Sequence, residues 1–354
     1  MWGGAAYRRS TLGDRDVTDA ETATQVSLSS PPPPIARSRA LLRTFAERWS
    51  LLIAFAAAFA FFSIEKPHVF LSWANFQAIL DDASVLTVLA AGATMVLVIG
   101  EFDLSIGSVV NLAAVASVAM MSFHNWSTGA AIAVALGVGG VVGLANGVVV
   151  AYLRIPSFIG TLAIGSLAAG LNLAIASSSI FSGLKHDYLQ IALIRWGGVS
   201  LRTIIAASVV LVVLVLLRTT VFGRHAAAVG DNPAAARLTG IHVQRVRVTV
   251  FVLVGATTGV AAVLATSSAQ SYYSDVGTGF LLPAYAAAFL GLALGRGLRF
   301  NVLGTYVGVL LLGMVTTGLT IMNQPNWIAA LVQGAVLLAA VAGVAIRRRG
   351  SSGQ

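Results

Sequence analysis

Long stretches of this chain carry no charged residue, and their lengths count out helices. Residues 104–153 contain no Asp, Glu, Lys or Arg and are long enough for two membrane crossings, with a turn at His124, Asn125 and Trp126. Residues 300–346 likewise hold two crossings, with a turn at Asn323, Gln324, Pro325 and Asn326. A helix needs about 20 apolar residues to span the hydrocarbon core of a bilayer. Single crossings fit residues 49–64, 84–100, 157–177, 202–218, 248–269 and 281–297. The pattern therefore predicts an all-α, polytopic integral membrane protein of about ten transmembrane helices.

The first 40 residues break this pattern. They carry Arg8, Arg9, Asp14, Arg15, Asp16, Asp19 and Glu21 and the proline run Pro31–Pro34, without an apolar stripe, and read as a disordered tail. The membrane domain is expected over residues 41–347, followed by a short C-terminal tail, 348–354.

Charge tests the helix count independently. An even number of crossings puts both termini on one side, and arginine should then load alternate loops. One side receives Arg37, Arg39, Arg43 and Arg48, then Arg154, then Arg218, Arg224, Arg237, Arg245 and Arg247, then Arg296 and Arg299, and last Arg347, Arg348 and Arg349. The other receives Lys66, Lys185 and Arg195, with Arg202 at a boundary. Both termini are expected in the cytoplasm.

Composition agrees. The chain is 57% hydrophobic and 10% charged, against about 25% charged residues in soluble domains. Its net charge of +9 sits beside apolar runs, which fits contact with anionic membrane lipid and argues against a nucleic-acid partner. There is no cysteine, so disulfides, thiolate metal sites and cysteine nucleophiles are excluded. His124, His186, His225 and His242 lack metal-ligand spacing. No phosphate-binding Gly-Lys-Ser/Thr loop, His-Glu-x-x-His motif or nucleophile elbow occurs. No catalytic residue, metal site or cofactor is expected in the chain itself.

Glycines recur at four-residue spacing: Gly139, Gly143 and Gly147; Gly255 and Gly259; Gly291 and Gly295; Gly304 and Gly308. Small residues on one helix face let backbones approach closely in lipid. Trp126, Trp196, Trp327, Tyr272 and Tyr273 lie near expected helix ends, as interfacial anchors do.

The connection 219–247 has a grammar of its own. Asp231 or Asn232 can cap a helix that starts at Pro233 and runs through Ala236, Arg237 and Leu238, with Gly240 at its C-terminal cap. A connection that only turned would be shorter. An ordinary capped connector and a docking element for a soluble partner both fit.

Glu101 and Asp103 lie between two apolar crossings, near Gly100 and Gly107. Two readings stand. In one, a broken helix lines a translocation route and Asp103 and Ser105 anchor its end. In the other, both acids lie in a short cytoplasmic turn, and Asp103 or Ser105 caps the next helix. Thr87, Thr94, Asn111, Asn146, Thr161, Asn172, Gln270, Tyr285 and Gln333 are polar groups within or beside crossings. They fit either a solute path or hydrogen bonding between helices.

At these motifs the chain resembles ribose-type ABC transporter permeases. Residues 223–241, with Gly223, Arg224, Asp231, Asn232, Pro233, Ala236, Arg237, Leu238 and Gly240, are similar to that family's cytoplasmic coupling region. Residues 100–107 are similar to its acidic signature, and residues 143–147 and 155–162 to a third conserved stretch. The resemblance covers roughly residues 80–346. Glu101 replaces the family's usual second glycine, Ala169 stands where many relatives carry arginine, and residues 290–300 match only loosely.

The resemblance implies a subunit of the bacterial inner membrane that imports a sugar or sugar-like solute. Its implied partners are two ATPase subunits that bind the ATP, a second permease subunit, as a homodimer or heterodimer, and an extracytoplasmic solute-binding protein. Residues 231–241 would meet the ATPase. Glu101, Asp103, Ser105, Asn111, Asn146, Thr161 and Asn172 are the candidates for the translocation path. A permease for branched-chain amino acids, an ion-driven secondary transporter and a membrane enzyme or scaffold are the competing classes. Secondary transporters more often carry ionisable residues in mid-helix.

Overall fold

A computed structural model describes residues 51–176, 181–292 and 299–351. The expected N-terminal tail and Gly295 lie outside these residues. The elements are α1 (Leu51–Glu65), α2 (Pro67–Phe70), α3 (Trp73–Val98), α4 (Ile106–His124), α5 (Thr128–Ala151), α6 (Ser157–Ala176), α7 (His186–Leu193), β1 (Arg195–Trp196), β2 (Val199–Ser200), α8 (Leu201–Thr219), α9 (Val221–Asp231), α10 (Pro233–Leu238), α11 (Val243–Ala269), α12 (Leu281–Gly291), α13 (Val302–Ile321) and α14 (Asn326–Ser351). The chain is an all-α membrane protein with, among the described residues, one hairpin of two-residue strands, β1–β2, turned by Gly197 and Gly198 at positive φ.

Among the described residues, seven helices are long and apolar enough to cross a membrane: α3, α4, α5, α6, α8, α11 and α13. Shorter apolar helices, Leu51–Glu65, Thr278–Gly291 and Trp327–Ala339, occupy the three remaining expected places. The turns at Asn125 and Asn323 lie where expected, both with left-handed backbone. Arg218, Arg247 and Arg299 meet Asn301, Glu101 and Asp231 at one end of the bundle, called inner here, and the other end is outer.

Three boundaries differ from expectation. Helix α3 begins at Trp73 rather than near residue 84, because the Ser72 hydroxyl caps it by accepting from the Asn75 N–H. Asp81 and Asp82 therefore lie inside the helix. Helix α11 begins at Val243, not 248, and takes in Arg245 and Arg247. Helix α12 has 11 residues, about 16 Å of rise, only half of a hydrocarbon core of about 30 Å.

Helix α3 is the axis of the bundle. Its apolar window is 89% buried, against 28% in α5 and α6 and 22% in α8. The latter three present their apolar sides outward, as lipid-facing helices do. The glycine faces meet in pairs. On α5 and α11, a Cβ on Gly139 or Gly255 would strike the carbonyl oxygen of the other, and one on Gly259 would lie 2.6 Å from the Ala135 oxygen. Helices α12 and α13 repeat the device: a Cβ on Gly304 would lie 2.5 Å from the Gly291 oxygen, and one on Gly308 2.7 Å from that of Ala287. Contact at backbone distance replaces the hydrophobic drive that lipid cannot supply.

Between α11 and α12 the chain dips into the bundle. Gln270 ends α11 at positive φ. Tyr272 then exchanges both backbone hydrogen bonds with Phe181. The Gly277 N–H donates to Asn111 Oδ1 at 2.6 Å, two turns inside α4. Irregular backbone at that depth is tolerated where protein or a water-filled cavity satisfies it.

Candidate functional site

Helix α3 gives way to α4 through an irregular segment, residues 99–105, and that break gathers the acidic signature. Gly100 adopts φ +76°, the left-handed turn that lets the chain leave α3. Three successive backbone N–H groups are then satisfied by side chains of two other helices. Phe102 donates to the Ser157 hydroxyl (3.1 Å), Asp103 to the Tyr285 hydroxyl (2.7 Å) and Leu104 to the Thr161 hydroxyl (2.9 Å). Tyr285 in turn donates to the Asp103 carbonyl oxygen at 3.0 Å. Such bonding accounts for backbone groups that no helix serves here.

The Asp103 side chain closes the knot. It is 2% exposed. Its Oδ1 accepts from the Ser105 N–H (2.9 Å) and the Ser105 hydroxyl (2.5 Å). Asn146 reaches the carboxylate with its amide at 3.4 Å and the Ser105 oxygen at 2.8 Å. Ser105 starts α4 without capping it through its side chain. The expected side-chain cap by Ser105 is not made. The segment is a short turn between α3 and α4, and the Asp103 carboxylate and three hydroxyls from other helices hold its amides.

Glu101 faces another way. Its carboxylate pairs with Arg247 at 2.8 Å, near the start of α11, with 13% and 20% of the two side chains exposed. The pair ties the break to the helix that follows the 219–247 connection. Glu101→Arg should cut the yield of folded protein severalfold by setting two guanidinium groups together, and adding Arg247→Glu should restore most of it. Size-exclusion profiles of the solubilised variants measure both. A double variant no better than the single would show that the pair does not hold these elements together.

Of the other polar candidates, Thr94, Asn111, Thr161, Asn146 and Asn172 are buried and bonded across elements, Gln333 is half-buried and donates to Thr316 (3.3 Å), Thr87 is buried, and Gln270 is exposed. Asn111 holds Gly277 and Thr278, Thr94 holds Thr305 at 2.8 Å, and Asn172 accepts from the Tyr272 hydroxyl at 2.6 Å. Thr161 and Asn146 belong to the Asp103 knot. Tyr272 is fully buried rather than an interfacial anchor, because the dipping segment carries it inward to Asn172. Tyr273, Trp126, Trp196 and Trp327 are exposed, as anchors are.

A second cluster was not among the sequence candidates. Asp81, 3% exposed, receives Arg195 at 2.6 Å and Arg202 at 3.5 Å. Ser200 and Thr203 also donate to it. It fastens the outer hairpin and the start of α8 to the central helix. The signal was two adjacent acids beside an apolar run, with two arginines among the few basic residues of the outer loops.

On the inner side, α9 and α10 form a bent pair. Asn232, not Asp231, is the cap: its Oδ1 accepts from the N–H groups of Ala234 (3.0 Å) and Ala235 (3.1 Å). Asp231 is the last residue of α9 and pairs with Arg299 at 2.7 Å. Helix α10 ends in a Schellman motif. Ile241 N–H donates to the Ala236 oxygen, Gly240 N–H donates to the Arg237 oxygen, and Gly240 sits at φ +83°. Ala236 is buried and Leu238 is 90% exposed. Gly223 and Gly230 bring α9 against backbone: a Cβ on either would strike the carbonyl oxygen of Leu217 or Val98 respectively. Arg224 is exposed on α9.

Residues 75–341 match the family described as branched-chain amino acid transport system / permease component. The chain is 33% identical over 309 residues to the L-arabinose ABC transporter permease protein AraH of Azospirillum brasilense, covering 86% of this chain and 90% of that one. It is 31% identical over 310 residues to the ribose import permease protein RbsC of Escherichia coli K12, covering 84% and 95%. It is also 31% identical over 287 residues to the autoinducer 2 import system permease protein LsrC of Yersinia pseudotuberculosis, covering 81% of each.

Proposed function

Because this chain belongs to the permease-component family of the branched-chain amino acid transport system, and its relatives are import permeases for ribose, L-arabinose and autoinducer 2, we propose that it is the membrane-spanning subunit of an ATP-binding-cassette importer for a sugar or sugar-like solute. ATP is bound and hydrolysed by two partner subunits. A second permease subunit completes the pathway, and an extracytoplasmic binding protein delivers solute. Both termini face the cytoplasm of a bacterial inner membrane, following the arginine distribution.

The observation that carries this reading is the α9–α10 pair. Helix α10 has six residues, is capped at both ends, and is packed through Ala236 while presenting Leu238 outward. A leucine left 90% exposed beside Arg237 at the tip of a rigid element suits a partner surface. The buried side of α9 rests on the end of α3 through Gly230, next to the break that holds Asp103. Motion of a docked ATPase would thus reach the interior through backbone contact rather than through a flexible loop.

The test separates docking from folding. Leu238→Asp removes almost no contact within this chain, so its effect on stability should stay within about 0.5 kcal/mol. It should nevertheless abolish co-purification of the ATPase and uptake. Gly240→Pro removes the N–H given to Arg237 and forces φ from +83° to about −65°. It should leave the subunit inserted while uncoupling ATP hydrolysis from uptake. Normal uptake in both variants would refute the docking role.

A further inference from the structure

An outer cleft of about 250 Å³ lies between α3, the start of α12, α13 and α14. It is small beside ligand clefts of about 300–1,000 Å³, so it suits a small solute. Asp82, Thr316, Thr317, Thr320 and Gln333 line it, with Gly279, Phe280 and Pro283 as an apolar edge. A carboxylate and a row of hydroxyls on spanning helices cannot face hydrocarbon cheaply, and such groups line cavities or meet partners. Asp81, its neighbour, is fully occupied by Arg195, Arg202, Ser200 and Thr203. Asp82 is exposed and accepts no hydrogen bond among the described residues.

The hydrogen-bond inventory of the cleft leans towards acceptors, with the Thr317 hydroxyl and the second Gln333 N–H as its donors. Thr316 spends its proton on the Leu312 carbonyl (3.0 Å) and accepts from Gln333 (3.3 Å), and Thr320 spends its proton on the Thr316 carbonyl (2.9 Å). Their remaining lone pairs, with the acceptor-only carboxylate of Asp82, leave a surface rich in acceptors. No Lys, Arg or His lines it, and the one cation that acts on Asp82 by charge, Arg202, is paired with Asp81. Such a surface takes a molecule rich in O–H donors and repels a carboxylate or phosphate.

We propose that this cleft is a solute site for a neutral polyhydroxy molecule, with Asp82 accepting from its hydroxyl groups. The inference rests on the importer reading above and sharpens it, since an amino acid would bring its own carboxylate against Asp82. Thr317, whose hydroxyl makes no hydrogen bond among the described residues, supplies a donor. The phenyl and prolyl carbons of Phe280 and Pro283 meet the C–H face of the solute.

The test uses the full complex, this chain with its ATPase and binding protein, in proteoliposomes given radiolabelled D-ribose, L-arabinose or L-leucine. Wild type should accumulate one of the sugars. Asp82→Asn and Thr317→Val should each lower that uptake, Asp82→Asn by about tenfold or more, while stimulated ATP hydrolysis is retained. Where Asp82→Asn fails to assemble, Thr317→Val decides. Sugar uptake unchanged in the assembled variants overturns this site and leaves the importer reading standing. Uptake of leucine alone overturns the sugar reading and the site together.

Discussion

Gly255→Val should leave almost no assembled protein in the membrane, while Gly137→Ala, on the facing helix, leaves the yield unchanged. At Gly255 a Cβ would meet the carbonyl oxygen of Gly139 and stand 3.1 Å from the Gly143 Cα, whereas at Gly137 it would meet nothing within 4 Å. Overpacking of a core costs about 1–3 kcal/mol when side chains can adjust. Here the obstacle is backbone, so α5 and α11 must separate along the whole face that Gly139, Gly143, Gly147, Gly255 and Gly259 share. A cost above about 3 kcal/mol is a large part of a total stability of about 5–15 kcal/mol. Fluorescence-detected size exclusion of tagged variants measures the yield. A monodisperse Gly255→Val peak at wild-type height would show that the close approach is not needed.

Asp103→Ala should abolish uptake and reduce folded yield, with Asp103→Asn milder in both. Alanine strips the acceptor from the Ser105 N–H, the Ser105 hydroxyl and the Asn146 amide at a site 2% exposed. Each buried group left unpaired costs about 1–3 kcal/mol. The loss should exceed about 3 kcal/mol if no water enters to replace the carboxylate. Asparagine keeps the shape and one acceptor, so Ser105 can still be held. The damage spreads beyond this residue, because the hydrogen bonds that position Phe102, Asp103 and Leu104 come from Ser157, Thr161 and Tyr285 on α6 and α12. Thermal unfolding in detergent and solute uptake are the two measurements. Intact expression together with intact uptake in Asp103→Ala would remove any essential role.

Much of the architecture was legible because apolar length is a strong constraint in lipid. The charge-free runs located α4, α5, α6, α8 and α13 to within a residue or two, and the four-residue glycine spacing marked faces for close packing, which the structure pairs as α5 on α11 and α12 on α13. The 231–241 segment was readable for a local reason: a cap, a proline at the first helical position and a glycine beyond the end act within a single turn. Asn232 rather than Asp231 became the cap because Asp231 completes α9 and turns to Arg299.

Charge misled where its partner was distant in sequence. The predicted crossing began at residue 84, after Asp81 and Asp82, yet α3 runs through both, since Arg195 and Arg202 neutralise Asp81 from more than a hundred residues away. The dip of residues 270–280 was illegible for the same reason. Its backbone is satisfied by Asn111 and Phe181, and nothing near it in the chain announces that it turns inward. Tyr272 consequently looked like an interfacial anchor.

The amino-acid order alone determined the class of protein, the places of its helices, the arginine-marked side and the capped inner element, because each follows from transfer of apolar segments into lipid or from hydrogen bonds a few residues long. Tertiary structure alone decided that Asp103 is buried, that Glu101 grips Arg247, and that Asp82 opens into a cleft its neighbour does not see. Those outcomes depend on which helix faces meet, and a buried polar group is settled by partners that only packing brings within reach.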